Sequence, residues 1–300
     1  MYLKMKKTLL YFWNILWDIH MIVYEWWLLA TNRQPQVMGI EETLHYIIKE
    51  KCSVARYGDG EMKFISGEKT SFQQFDISLQ LRLSEILKGG NQKLLICIPG
   101  VFGALDIYAD EYKAYWKQYL LRNRSDWYNH IDENYIYGEA FISRCYLTYK
   151  DRTKVLKYFN LWKQIWSNKD ILIVEGAKTR LGVGNDLFNN VRSIKRILAP
   201  NTEVFACYEE LIAEVRQYET NYLILLALGP TATILAADLS KEGYQAIDIG
   251  HIDIEYEWMR MGVDSRVAVH GKFVNEAANG RVVSDCDDQD YLNQIIRIIN

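Results

Sequence analysis

Residues 222–250 read YLILLALGPTATILAADLSKEGYQAIDIG. The run 222–228 is apolar nearly throughout, Gly229-Pro230 interrupts it, a helical pattern fills 231–241, and a second β-rich run covers 244–249. Short runs with no polar face suit strands buried on both sides. A strand, a helix and a strand in succession build parallel pairing. Further strand candidates lie outward from this unit at 53–57, 93–98, 170–174 and 203–207, with helical patterns at 40–50, 185–197 and 209–218. The expected fold class is α/β, a mainly parallel sheet with helices on both faces. The stretch 108–166 departs from the alternation. It is strongly aromatic, helical in periodicity and without a clear strand, which predicts a helical insertion over about 104–168. Past Asp285, Asp287, Asp288 and Asp290 precede Leu292, Ile295, Ile296 and Ile299. That pattern predicts a terminal helix with its carboxylates at the positive end of the dipole.

The 300 residues are 49% apolar and 24% charged with a formal net charge of −3, which excludes a disordered or collagen-like chain. A nucleic-acid binder would need a basic footprint, and none is present. Aromatic residues reach 13%, including 21 Tyr and 9 Trp, enough for a large core or for a ligand with flat apolar faces such as a sugar or a nucleobase. The five cysteines are far apart with no C-x-x-C spacing, so neither a zinc site nor a disulfide framework is expected, and the compartment reads as reducing and cytoplasmic.

Residues 1–34 form a separate segment. Lys4, Lys6 and Lys7 precede a dense run of large apolar side chains in which Lys7, Asn14, Asp18 and Glu25 draw one narrow polar stripe down a helix. Asp18 and Glu25 argue against a bilayer span, and Asp18 and His20 break any signal-peptide core. Two readings remain: a helix docked on its own domain or on a second subunit, and an interfacial helix at the inner face of a membrane. Residues 32–35 read as a linker, and 36–300 as the main domain.

Ligands of open α/β sheets bind beyond the carboxyl ends of the strands. In Ala55-Arg56-Tyr57-Gly58-Asp59-Gly60-Glu61, an extended chain would project Asp59 and Glu61 to one side, where two carboxylates suit a hard divalent cation shared with a diphosphate. Asp-Gly is equally a turn signal. Glu175 ends a strand candidate and is followed by Gly176, Lys178, Arg180, Gly182 and Gly184, residues that let backbone N–H groups and a guanidinium approach phosphate. The spacing is neither a Walker A loop nor a dinucleotide fingerprint, and a plain strand-to-helix connection fits as well. Gly229-Pro230-Thr231 opens a helix and presents either an anion site or an ordinary cap. His251, Asp253 and Glu255 alternate with Ile252, Ile254 and Tyr256. An extended chain would give them one face and one candidate general base, or simply a wet strand face.

Together, ARYGDGE (55–61), IVEGAKTRLGVGNDLF (173–188), LGPTATILAADL (228–239) and QAIDIGHIDIEYEW (245–258) resemble the GT-D glycosyltransferase family over roughly residues 40–280. The resemblance implies a Rossmann-like fold and a nucleoside-diphosphate sugar donor, with UDP as the first nucleotide to test. It places the family's D-x-E metal motif on Asp59 and Glu61, with Mn²⁺ or Mg²⁺ as cofactor. Arg56, Gly58, Glu175, Arg180, Gly229 and Thr231 become donor contacts, and Asp253 or Glu255 the base with His251 orienting it. Tyr57 stands where the family pattern leads one to expect Phe. The acceptor would be a glycan, a glycoprotein or a lipid-linked precursor in bacterial surface-polysaccharide or protein glycosylation. A nucleotide-diphosphate hydrolase and a non-catalytic partner subunit are the alternatives.

Overall fold

A computed structural model describes residues 34–69 and 73–300 throughout, together with residues 13, 15–17, 19–24, 26, 27, 30 and 31. The described residues between 13 and 30 are helical, and the rest of the expected N-terminal helix lies outside the described residues. No described helix is long and apolar enough to cross a membrane.

The strands are β1 (Gln36–Val37), β2 (Ser53–Arg56), β3 (Leu94–Ile98), β4 (Ile136–Glu139), β5 (Asp170–Gly176), β6 (Ser193–Ala199), β7 (Leu223–Ala227), β8 (Gln245–Asp248) and β9 (Ile295–Ile298). The helices are α1 (Ile40–Glu50), α2 (Asp59–Ile65), α3 (Ile77–Leu87), α4 (Asp110–His130), α5 (Val155–Trp166), α6 (Tyr208–Val215), α7 (Pro230–Lys241), α8 (Ile252–Met261) and α9 (Gln289–Gln294). The strands make one sheet in the order β1-β4-β3-β2-β8-β7-β5-β6-β9, and every pairing between them is parallel. This is the α/β architecture expected from the sequence. Leu94–Ile98 is buried at every position, as is Leu223–Leu226 in β7, because helices cover the sheet. Pro230 starts α7 where a missing N–H costs nothing, and that helix packs across β2 and β8 with ten of its residues buried.

Several elements differ from the expectation. The aromatic insertion contains a strand: β4 joins β3 through Cys97–Gly138 and Ile98–Glu139, so that region belongs to the sheet. Residues 193–199, expected to end a helix, form β6, while the expected strand at 203–207 is a 3₁₀ turn, Val204–Cys207. The terminal helix stops at Gln294 and Ile295–Ile298 becomes β9, pairing with β6. Asp288 does cap that helix, its carboxylate accepting from the Tyr291 N–H at 2.9 Å.

From β2 the chain builds outward through β3 and β4 on one side, and β5 to β9 fill the other, so the two halves of the sheet meet between β2 and β8. These two strands are in register at one pair only, Val54 and Ile247. A crevice at such a switch point is where ligands enter open parallel sheets.

Candidate active site

The crevice is a cavity of about 490 Å³, within the usual range for small-molecule sites. Its floor is Arg56 at the end of β2. The guanidinium donates from Nε to the Asp248 carbonyl at 2.8 Å, from Nη2 to Asp248 Oδ1 at 2.7 Å and from Nη1 to the Ala140 carbonyl at 3.4 Å. One side chain therefore ties the carboxyl ends of β2, β8 and β4. Burial raises the Asp248 carboxyl and Arg56 works against that rise. Gly250 makes the arrangement possible: it has φ +45°, and a Cβ there would stand 2.0 Å from Arg56 Nη2.

Asp59 and Glu61 line the cavity, but on the first turn of a helix rather than on an extended chain. Glu61 curls back so that Oε2 accepts the Gly58 N–H at 2.8 Å. Burial, and then the neighbouring Asp248 carboxylate, push the Glu61 carboxyl up to about 7. Asp59 Oδ2 accepts from Lys63 Nζ at 3.0 Å and from the Tyr115 hydroxyl at 2.5 Å. Among the described residues no three His, Cys, Asp or Glu side chains are grouped to hold a metal by themselves. Two carboxylates beside a cavity still fit a divalent cation that draws its other oxygens from diphosphate and water. A cation would also hold ionised the Glu61 carboxylate that burial disfavours.

A second charged cluster shares the cavity. Arg144 grips Glu276 with Nη1 at 3.0 Å and Nη2 at 2.5 Å, and Arg266 Nε lies 3.7 Å from the same carboxylate. Burial opposes ionisation of Glu276, but Arg144 above all outweighs it and holds the carboxyl well below the usual range. His251, the residue before α8, stands 3.1 Å from Arg144 Nη2 through Nδ1 and 3.3 Å from Asn275 Oδ1 through Nε2. Arginine only donates, so Nδ1 is the acceptor and Nε2 carries the proton. Burial, then Arg144, lower the imidazole to about 4, so it is neutral at pH 7.

Of the residues singled out in the sequence, Arg56, Gly58, Asp59, Glu61, Gly229 and His251 line this cavity. Others do not. Asp253 and Glu255 sit on the first turn of α8, a helix where an extended face was expected, and both are fully buried away from the cavity. Asp253 accepts from the Gly182 N–H at 2.9 Å and Asn185 Nδ2 at 2.7 Å, and Lys272 Nζ lies 2.6 Å away. Glu255 accepts from the Tyr146 and Leu147 N–H groups at 2.8 and 3.0 Å. These carboxylates hold loops to α8 and do not line this cavity. Glu175 pairs with buried Arg196 and accepts the Leu181 N–H at 2.7 Å, while Arg180 donates to the carbonyls of Gly271 at 2.8 Å and Ser284 at 2.7 Å. Thr231, on the first turn of α7, is buried and off the cavity wall. Sequence reasoning missed Arg144, Arg266, Glu276 and the α4 residues Glu111, Tyr112, Tyr115 and Trp116, all of which line it. Nothing in their spacing marks them.

An open parallel sheet with a polar cavity at its switch point is the build of Rossmann-like nucleotide-binding enzymes. Residues 54–277 match the family described as glycosyltransferase GT-D fold. The chain is 42% identical over 266 residues to the "Probable glycosyl transferase Gly" of Streptococcus gordonii and 39% identical over 267 residues to "Glycosyltransferase GlyD" of Streptococcus pneumoniae serotype 4. Each match takes in 88% of this chain but only 39% and 33% of the relatives' own lengths. Among solved structures, a new glycosyltransferase from Streptococcus sanguinis superposes with a TM-score of 0.85 at 40% identity, covering 89% of this chain and all of that one. A domain of unknown function 1792, described as having a distinct glycosyltransferase fold, superposes at 0.87 with 39% identity over 92% of this chain and 100% of that one. The chain belongs to the GT-D-fold glycosyltransferase family.

Proposed function

We propose that the protein is a metal-dependent glycosyltransferase moving a sugar from a nucleoside-diphosphate donor, UDP in the first instance, to a glycan or glycoprotein acceptor of the bacterial surface. The observation that carries this reading is the meeting of the Asp59–Glu61 pair with Arg56, Arg144, Arg266 and neutral His251 around one cavity at the switch point. Loss of a diphosphate leaving group builds negative charge, which a divalent ion, Mn²⁺ or Mg²⁺, held by Asp59 and Glu61 would neutralise. The chain's own part is to supply fixed donors: the guanidinium groups and the N-terminus of α7 at the cavity wall. The proton of the acceptor hydroxyl needs a base on the cavity wall. Glu111 and neutral His251 stand there, Glu276 is held ionised by Arg144, and Asp253 and Glu255 lie off the wall. The reading further takes the enzyme as cytoplasmic, with residues 1–34 contacting a membrane surface or a second copy; the exposed Trp13, Trp17, Trp26 and Trp27 support that contact.

Isothermal titration with UDP, with and without Mn²⁺, tests the donor site. Wild type should bind UDP only with Mn²⁺, and Asp59→Asn and Glu61→Gln should lose that binding while melting near the wild-type temperature. Full Mn²⁺-dependent binding by both variants would overturn the metal assignment.

A further inference from the structure

We propose that the α4 end of the cavity is the acceptor-sugar subsite, with the Tyr115 ring as its platform and the Tyr115 hydroxyl as a positioning group for Asp59. This rests on the glycosyltransferase reading above and names a part of the site which that reading leaves open.

The sheet order separates the cavity into two ends. Beyond β8 lie the carboxyl ends of β7, β5 and β6, where the wall sets Leu181, Pro200 and Val204 beside Thr179 and the amides of Gln73 and Asn201. Such a wall suits a flat nucleobase. Beyond β2 lies the end of β4 with α4 across it, where aromatic rings alternate with Glu111 and Arg144. Rings interleaved with charged hydrogen-bonding groups suit a ligand that has an apolar C–H face and a rim of hydroxyls.

Tyr115 is the ring left open there. It is 44% exposed, whereas Tyr112 and Trp116 beside it are 7% and 3% exposed. The ring stacks near Tyr119, centroids 6.0 Å apart at 16°, and stands edge-on to Trp116 at 5.5 Å and 84°. Its hydroxyl donates to Asp59 Oδ2 at 2.5 Å. Neighbouring rings and the bond at its tip thus hold the ring in place, so little rotamer freedom remains to be lost when a sugar lands on it. Glu111 lies one helical turn before Tyr115 and shares its side of α4. The tie to Asp59 places the platform one side-chain length from the carboxylate that would hold the metal.

Two variants separate the roles. Tyr115→Phe removes only the hydrogen bond and should weaken Mn²⁺-dependent UDP binding about tenfold, the scale of a bond to a charged group, with the ring platform kept. Tyr115→Ala removes both. Saturation-transfer NMR with UDP, Mn²⁺ and the methyl glycosides of glucose, galactose and N-acetylglucosamine reads the platform directly. Wild type and Tyr115→Phe should transfer saturation to at least one glycoside, and Tyr115→Ala should lose it while the uracil signals of UDP persist. Glycoside contact retained in Tyr115→Ala, absent from wild type, or retained while uracil contact is lost would each overturn the subsite. Unchanged UDP affinity in Tyr115→Phe would overturn the positioning role. If wild type binds no UDP with Mn²⁺, the glycosyltransferase reading itself falls and takes the subsite with it; failure confined to the variants leaves that reading standing.

Discussion

Lys272 reaches two carboxylates, Asp253 at 2.6 Å and Glu257 at 3.1 Å, with only 4% of its side chain exposed. Asp253 has no exposure at all, so its charge is sustained by Lys272 and by the N–H groups it accepts from. Removing one partner of a buried pair costs about 3–5 kcal/mol where the other charge is stranded, and less here because Glu257 still holds Lys272. Asp253→Asn should therefore unfold at lower urea concentration than wild type, with the loss falling on stability rather than on turnover of the folded fraction. A folded, equally stable variant with kcat abolished would restore Asp253 as the base. The placement of Asp59 and Glu61 at the cavity is legible in the sequence because Gly58 and Gly60 bracket Asp59 at a strand end, where open sheets take their ligands. The same Asp-Gly also marks a turn, and the family resemblance is what singles it out. At 251–255 the extended reading fails because Ile252, Ile254 and Tyr256 alternate as a strand would, and the same three are buried on a helix that has neighbours on most sides. Arg144 leaves no trace, being one charge inside an aromatic stretch whose packing alone determines where it points.

At the scale of elements, short apolar runs do not declare their period. Ser193–Ala199 carries Ile194, Ile197 and Leu198 at spacings that a helix or a strand accommodates. The deciding contact is long-range: Arg196, buried to 2%, needs Glu175 on the neighbouring strand. Ile295–Ile298 likewise becomes a strand because β6 offers it an edge. By contrast β7, α7 and β8 are readable, since Gly229, Pro230 and Gly243 punctuate them where the chain turns. The two glycines flanking α8 separate sterics from backbone strain. Gly262 caps the helix at φ +65°, and a Cβ placed there would meet nothing within 4 Å, whereas at Gly250, with φ +45°, a Cβ would run into the Arg56 guanidinium. Gly262→Ala should cost about 1–2 kcal/mol, the left-handed penalty alone. Gly250→Ala should cost more and also displace Arg56; equal urea midpoints for the two variants would contradict this account.

For the molecule as a whole, pH acts through carboxyls kept from water. Glu139, at the end of β4, accepts from the N–H groups of Gly100 and Phe141, yet burial raises it to about 8. Between its unfolded value near 4.5 and that raised value the native state holds a proton the unfolded chain has released. Stability drawn from this group is thus present at low pH and declines as pH rises through the window, by roughly 1.4 kcal/mol per unit at most. Glu139→Gln carries no such proton. Its urea midpoint should gain on wild type as pH is raised from 5 to 8, and parallel pH curves would show that Glu139 does not titrate there.

One register pair joins β2 to β8, and the Arg56–Asp248 and Ser53–Ala246 bonds reinforce it, so the molecule resembles a book with a narrow, bound spine. Each board carries its own run of parallel strands, four described on one side and five on the other, and α7 lies along the spine. The cavity is the gutter between the pages. A ligand seated there touches both boards, so occupancy and stiffness of the binding become one quantity: whatever fills the gutter also sews it.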